Sequence, residues 1–136
     1  MRRKLLFSLL IISVLSVLLT ACNWSSFDGN RAANPYFYRL DIERMNGTET
    51  HTMELDAGDE LEIHFETERG KLHMEIKASD GAIIYMGNGE EATDFTVNIS
   101  ESGAYIVLVK AHGAKGAIYI QRVCAGATSA VLEETK

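Results

Sequence analysis

Residues 35–123 predict an all-β fold, an antiparallel, jelly-roll-like β-sandwich of about eight strands. Three observations lead there. Apolar residues recur at every second position in short runs, the period of a half-buried strand. The runs are punctuated by dipeptides suited to tight turns, Asn46-Gly47, Arg69-Gly70 and Asp80-Gly81. No segment between them sustains the three-to-four spacing of an amphipathic helix.

In chain order, Tyr36, Tyr38, Leu40 and Ile42 alternate with Phe37, Arg39, Asp41 and Glu43. Asn46-Gly47 then reads as a two-residue hairpin, since both positions tolerate positive φ. That register sets Leu40 opposite Met53, Tyr38 opposite Leu55 and Arg44 opposite Glu49, matching apolar with apolar and plus with minus. Ala57-Gly58-Asp59 is a turn before Leu61, Ile63 and Phe65. A hairpin at Arg69-Gly70 sets Phe65 opposite Met74, His64 opposite Glu75 and Glu66 opposite His73. Asp80-Gly81 leads into a strand at 82–87, and Phe95, Val97 and Ile99 form another. Residues 105–109 (YIVLV) are apolar on both sides, the mark of a covered central strand. Residues 112–116 read as a turn and 117–123 as the last strand.

The first residues are of a different kind. Arg2-Arg3-Lys4 precedes an uncharged apolar run from Leu5 to Ala21, and Leu19-Thr20-Ala21-Cys22 closes it. A cationic start, a short apolar run and small residues before a cut mark a secretory signal. Leu-Thr-Ala-Cys resembles the lipobox of bacterial lipoproteins, which implies that Cys22 becomes a diacylglyceryl-modified first residue. The run is short for a spanning helix, which wants about 20 apolar residues. The expected organisation is a signal peptide at 1–21, the lipidated Cys22 with a flexible tether to residue 34, the sandwich at 35–123 and a loose tail at 124–136. The protein is then held by its lipid on the extracytoplasmic face of a bacterial membrane.

Residues 55–123 carry a second resemblance. Gly58-Asp59 opening a strand, Asp80-Gly81 ending a hairpin, Phe95-Thr96-Val97, the run from Ser102 to Val107 and Gly116-Ala117-Ile118-Tyr119-Ile120 resemble the pre-peptidase C-terminal type of bacterial β-sandwich. The resemblance implies a sandwich fold and a non-catalytic module. The calcium ligands of the better-known binders in that group have no counterpart here.

Composition narrows the function further. The chain has 13 Lys and Arg against 19 Asp and Glu, and loss of the signal removes three of the basic residues. An acidic body does not suit nucleic acid, whose phosphates are held by clustered Lys and Arg. With Cys22 lipidated, Cys124 has no partner for a disulfide; it reads as a small, half-buried residue ending a strand. No G-x-S-x-G, H-E-x-x-H, C-x-x-C or P-loop spacing occurs. No enzyme and no cofactor are therefore expected.

The expected role is a binding or interaction module for a protein, peptide or glycan at the cell envelope. The alternatives are an accessory subunit of an envelope hydrolase, or a metal-binding lipoprotein using a square of His64, Glu66, His73 and Glu75. A solvated ladder of cross-strand charge pairs explains that square without metal and is preferred. The expected interaction face is apolar, formed by Ile84, Met86, Ile106 and Leu108, and available to a partner or to a second copy in a homodimer.

Overall fold

The structure, a computed structural model, describes residues 25–91 and 93–126; the leader, Cys22 and the tail beyond Gly126 lie outside the described residues. Six strands form one antiparallel sheet: β1 (Ser26–Asn34), β2 (Phe37–Leu55), β3 (Glu60–Lys77), β4 (Ile83–Gly87), β5 (Asp94–Asn98) and β6 (Gly103–Val123). Their order is β1-β2-β6-β3-β4. β5 shares one edge of β3 with β4, lying along Glu60–His64 while β4 lies along Met74–Lys77.

Among the described residues there are six strands where about eight were expected: β2, β3 and β6 run unbroken for 19, 18 and 21 residues and each takes the place of two, while β1 is added from the expected tether. Asn46-Gly47, Arg69-Gly70 and residues 112–116 lie inside these strands and are not turns. Leu40 therefore stands opposite Arg31 and Ile118 rather than Met53, and Phe65 stands opposite Ile118 rather than Met74. Each site is instead a shift of register, where an extra residue kinks the strand as a β-bulge does. Gly70 shows why glycine is needed there. Its φ is +73°, and an added Cβ would lie 2.2 Å from the carbonyl oxygen of Gly113. Asp80-Gly81 does form the expected hairpin, with Ile76 opposite Tyr85 and the Gly81 N–H donating to the Ala78 carbonyl at 2.9 Å.

The kinks fold the sheet back over itself. At about 3.3 Å per residue, Tyr38 and His51 of a straight β2 would stand roughly 43 Å apart. Their rings stack with centroids 4.8 Å apart. The Glu54 N–H donates to the Pro35 carbonyl at 2.8 Å across the same fold. On the other side, Tyr85 of β4 stacks on Phe95 of β5 at 4.7 Å. One half of the sheet thus carries β5, and the other carries β4. A single core fills the space between, with Tyr38, Leu40, Met53, Phe65, Met74, Val107 and Ile118 fully enclosed. The inward parity changes at each kink: Tyr38, Leu40 and Ile42 point in before it, Met53 and Leu55 after it.

Residues expected to be a free tether form β1, paired with β2 from Ser26 opposite Asn46 to Asn34 opposite Phe37. Their polar side chains stay exposed, since backbone pairing alone suffices for an edge strand. Far from the kinks, a charge cluster closes the strand ends. Arg122 lies 2.6 Å from Asp56 and 2.5 Å from the buried Asp59. Burial pushes the Asp59 carboxyl up, but hydrogen bonds from the Asp56 N–H and Arg122 outweigh it and hold the group below its ordinary value.

Candidate functional site

Register determines which side chains share the outer face of the half that carries β5. Arg39, Tyr119, His64 and Asp94 form one row across β2, β6, β3 and β5. Phe37, Gln121, Glu62 and Thr96 form the next. The residues between them in sequence, Tyr38, Ile120 and Ile63, are in the core, so strand alternation turns both rows outward. Between them opens a groove of about 480 Å³, with Phe95 at its side.

His64 sits at the centre. Its Nδ1 is 2.9 Å from Asp94 Oδ1 and its Nε2 is 3.7 Å from Glu66 Oε2. Its ring stacks on Tyr119 at 5.4 Å. The Tyr119 hydroxyl donates to Asp41, and the Arg39 guanidinium lies 4.6 Å over the Tyr119 ring while pairing with Asp41 at 2.9 Å. The row is therefore held in place before any ligand arrives. The hydrogen bond from His64 keeps the Asp94 carboxyl below its ordinary value. The Asp41 carboxylate pushes the Tyr119 hydroxyl up and the Arg39 guanidinium up. Glu62 makes no ion pair among the described residues.

The groove thus presents the carboxylates of Glu62 and Asp94, one imidazole, an amide, a threonine hydroxyl and the rings of Phe37, Phe95 and Tyr119, with Glu66 just outside it beside His64. Neither serine nor cysteine is among the residues that line it. It suits recognition of a polar ligand that is neutral or positively charged.

The square expected from His64, Glu66, His73 and Glu75 is not assembled. β3 continues through Arg69-Gly70, which leaves the two histidines on opposite sides of the kink. His64 meets Asp94 and Glu66; His73 Nε2 meets Glu75 Oε1 at 2.8 Å. No group of three or more His, Cys, Asp or Glu is arranged to hold a metal ion among the described residues.

The expected apolar face is present only in part. Met86 is 60% exposed and Ile106 43%, whereas Ile84 and Leu108 are half-buried and Ile84 packs against the core. β3 runs between them, setting Glu75 between Leu108 and Met86 and Lys77 between Ile106 and Ile83. Glu75 and Lys77 thus interleave with the apolar residues on this surface. Lys77 at 2.7 Å and His73 hold the Glu75 carboxyl down to about 2. Cys124, expected to be half-buried, is exposed just past β6 and makes no disulfide among the described residues.

Asp94 and Tyr119 escaped the sequence reading because no local pattern pairs β5 and β6 with the same strand. The one available signal was the alternation around Phe95, which turns Asp94 outward. No protein-family model matches the chain, and no curated protein matches it.

Proposed function

We propose that this chain is a non-catalytic binding module, anchored by a lipid on Cys22 outside a bacterial membrane, and that the His64 groove is its contact surface. The two halves of the bent sheet act as the two layers of a β-sandwich, which makes the groove a rigid platform. The observation that carries the reading is the pair of carboxylates that line the groove, Glu62 and Asp94, with Glu66 beside them, against the single imidazole of His64. Such a surface repels anions and attracts ammonium groups, as in a lysine-bearing peptide or an amino-sugar glycan. Charges this exposed act over roughly 8 Å at physiological salt, so the binding is modest and salt-dependent.

The test is fluorescence anisotropy with a labelled lysine-rich peptide and a labelled amino-sugar oligomer, using an acidic peptide as control. At least one cationic probe binds the wild type and loses roughly tenfold in affinity with Glu62→Gln/Asp94→Asn, about 1.4 kcal/mol. Equal binding by the variant, or preference for the acidic peptide, refutes the groove. A second reading, self-association, is favoured by the exposed Met86, Ile83 and Ile106. A concentration-dependent mass in sedimentation, abolished by Met86→Lys, would establish it.

A further inference from the structure

We infer that the ridge formed by the strand kinks is the surface that faces the membrane, and that Lys71, His73, Lys110 and His112 contact anionic lipid headgroups there. The inference rests on the anchoring at Cys22 proposed above.

The path of the chain leads to the ridge. β1 starts at Ser26, opposite Asn46. Ser25 lies against Gly47, where an added Cβ would come within 2.7 Å of the serine Cβ. Asn46 Oδ1 in turn accepts the N–H of Gly113 in β6 at 2.7 Å, and Gly70 of β3 meets Gly113 from the other side. The chain therefore leaves the sheet at the line of kinks. Cys22 stands three residues before Ser25, a reach of about 10 Å at full extension. A lipid on Cys22 holds this ridge near the bilayer and keeps the Arg122 end away from it.

Charge leads to the same place. Lys71 is opposite His112, and His73 is opposite Lys110, on the half that carries β4 and next to the kinks. Opposed and diagonal neighbours in an antiparallel pair lie about 5–8 Å apart, so the four basic side chains form one cluster. They surround a cavity of about 180 Å³ floored by Leu72 and Ala111. Arg31, Arg39, Lys77, Lys115 and Arg122 each have a carboxylate within 4.0 Å. Lys71 and Lys110, like Arg44 and Arg69, have none among the described residues, and the charge of Lys110 reaches Glu75 only through space. In a chain with a net charge of −6, amines without a carboxylate within 4.0 Å, gathered beside the exit toward Cys22, match a negative lipid surface. Glu75, bonded to His73 and Lys77, marks the far limit of the cluster. The acidic groove lies on the other half of the sheet, which leaves it open to a partner while the ridge is docked.

The chain purified from membranes is reconstituted into vesicles of phosphatidylcholine alone or of phosphatidylcholine with phosphatidylglycerol. A short pulse of an amine-acylating reagent follows, and each lysine is read by peptide mass spectrometry, together with the mass of the Cys22 peptide. Lys71 and Lys110 react about fivefold more slowly on the anionic vesicles, the factor expected for a lysine at an anionic surface. High salt removes the protection, and Lys77, held by Glu75, reacts equally on both. Lipidated chain whose Lys71 and Lys110 react equally on the two vesicle types overturns the docking surface alone. A Cys22 peptide without the diacylglyceryl mass overturns the anchor and the docking surface with it.

Discussion

Replacing Gly70 with alanine separates a kinked strand from a hairpin tip. Two costs arise at this position. Its φ of +73° is left-handed, which costs a residue with a Cβ roughly 1–2 kcal/mol. The new Cβ would also sit 2.2 Å from the Gly113 oxygen and 2.7 Å from the His112 oxygen. Both are backbone atoms of β6, so relief requires moving a strand, at roughly 1–3 kcal/mol. Gly81, at φ +88°, has nothing within 4 Å of its added Cβ and bears only the first cost. Gly70→Ala should therefore lose about 2 kcal/mol more than Gly81→Ala. Urea unfolding followed by far-UV circular dichroism reads this directly. With a slope of about 1–3 kcal/mol per molar, the two midpoints differ by roughly 1 M. If Arg69-Gly70 were an exposed turn, both added methyls would enter solvent and the variants would unfold together; that result refutes the continuous strand.

Three further outcomes follow from the core and its charges. The Tyr38 hydroxyl is buried without a hydrogen-bond partner among the described residues, and burial pushes its pKa up. Tyr38→Phe should leave stability unchanged or raise it by about 1 kcal/mol; a loss of that size in thermal unfolding contradicts this. Phe65 is fully enclosed, so Phe65→Ala should cost about 3–5 kcal/mol in the same urea assay, and a cost under ~1 kcal/mol would place it outside the core. Glu75 titrates at about 2 instead of 4.5, because Lys77 and His73 favour its charged form. A carboxyl depressed by folding stabilises the protein above its ordinary pKa and loses that contribution as pH falls toward the folded value. The advantage of the wild type over Glu75→Gln in thermal midpoint should shrink between pH 4.5 and about 2; a constant difference contradicts the pairing.

The strand class was legible because alternation survives any tertiary context: Tyr38, Leu40, Leu61, Ile63, Phe65 and Met74 fall on the inner side by sequence and are buried. The strand partners were not legible, for a physical reason. A two-residue hairpin and a one-residue bulge both ask for a residue with positive φ, and both switch the inward parity of the chain. Phe65 and Met74 therefore point inward under either account. The choice depends on whether another strand is long enough to bridge the kink, and β6 is, pairing with β3 from Glu60 to Lys77. Asp80-Gly81 is the expected turn because β4 pairs with the stretch of β3 that immediately precedes it, Ile76 opposite Tyr85, and no longer strand bridges that position. The error at Arg69-Gly70 propagated to chemistry, because the square of His64, Glu66, His73 and Glu75 existed only in the hairpin register. Glu62 and His64 were visible as outward residues, but Asp94, Tyr119 and Gln121 join them through long-range pairing that no neighbouring residue announces.

The most direct test of the groove is a chemical-shift map of the isotopically labelled chain titrated with a cationic amino-sugar oligomer or a lysine-rich peptide. The groove predicts saturable shifts at Glu62, His64, Asp94, Thr96 and Gln121, suppressed by salt, with Met86 and Ile106 unmoved. Shifts confined to Met86, Ile106 and their neighbours, or no shifts with any cationic probe, would contradict it.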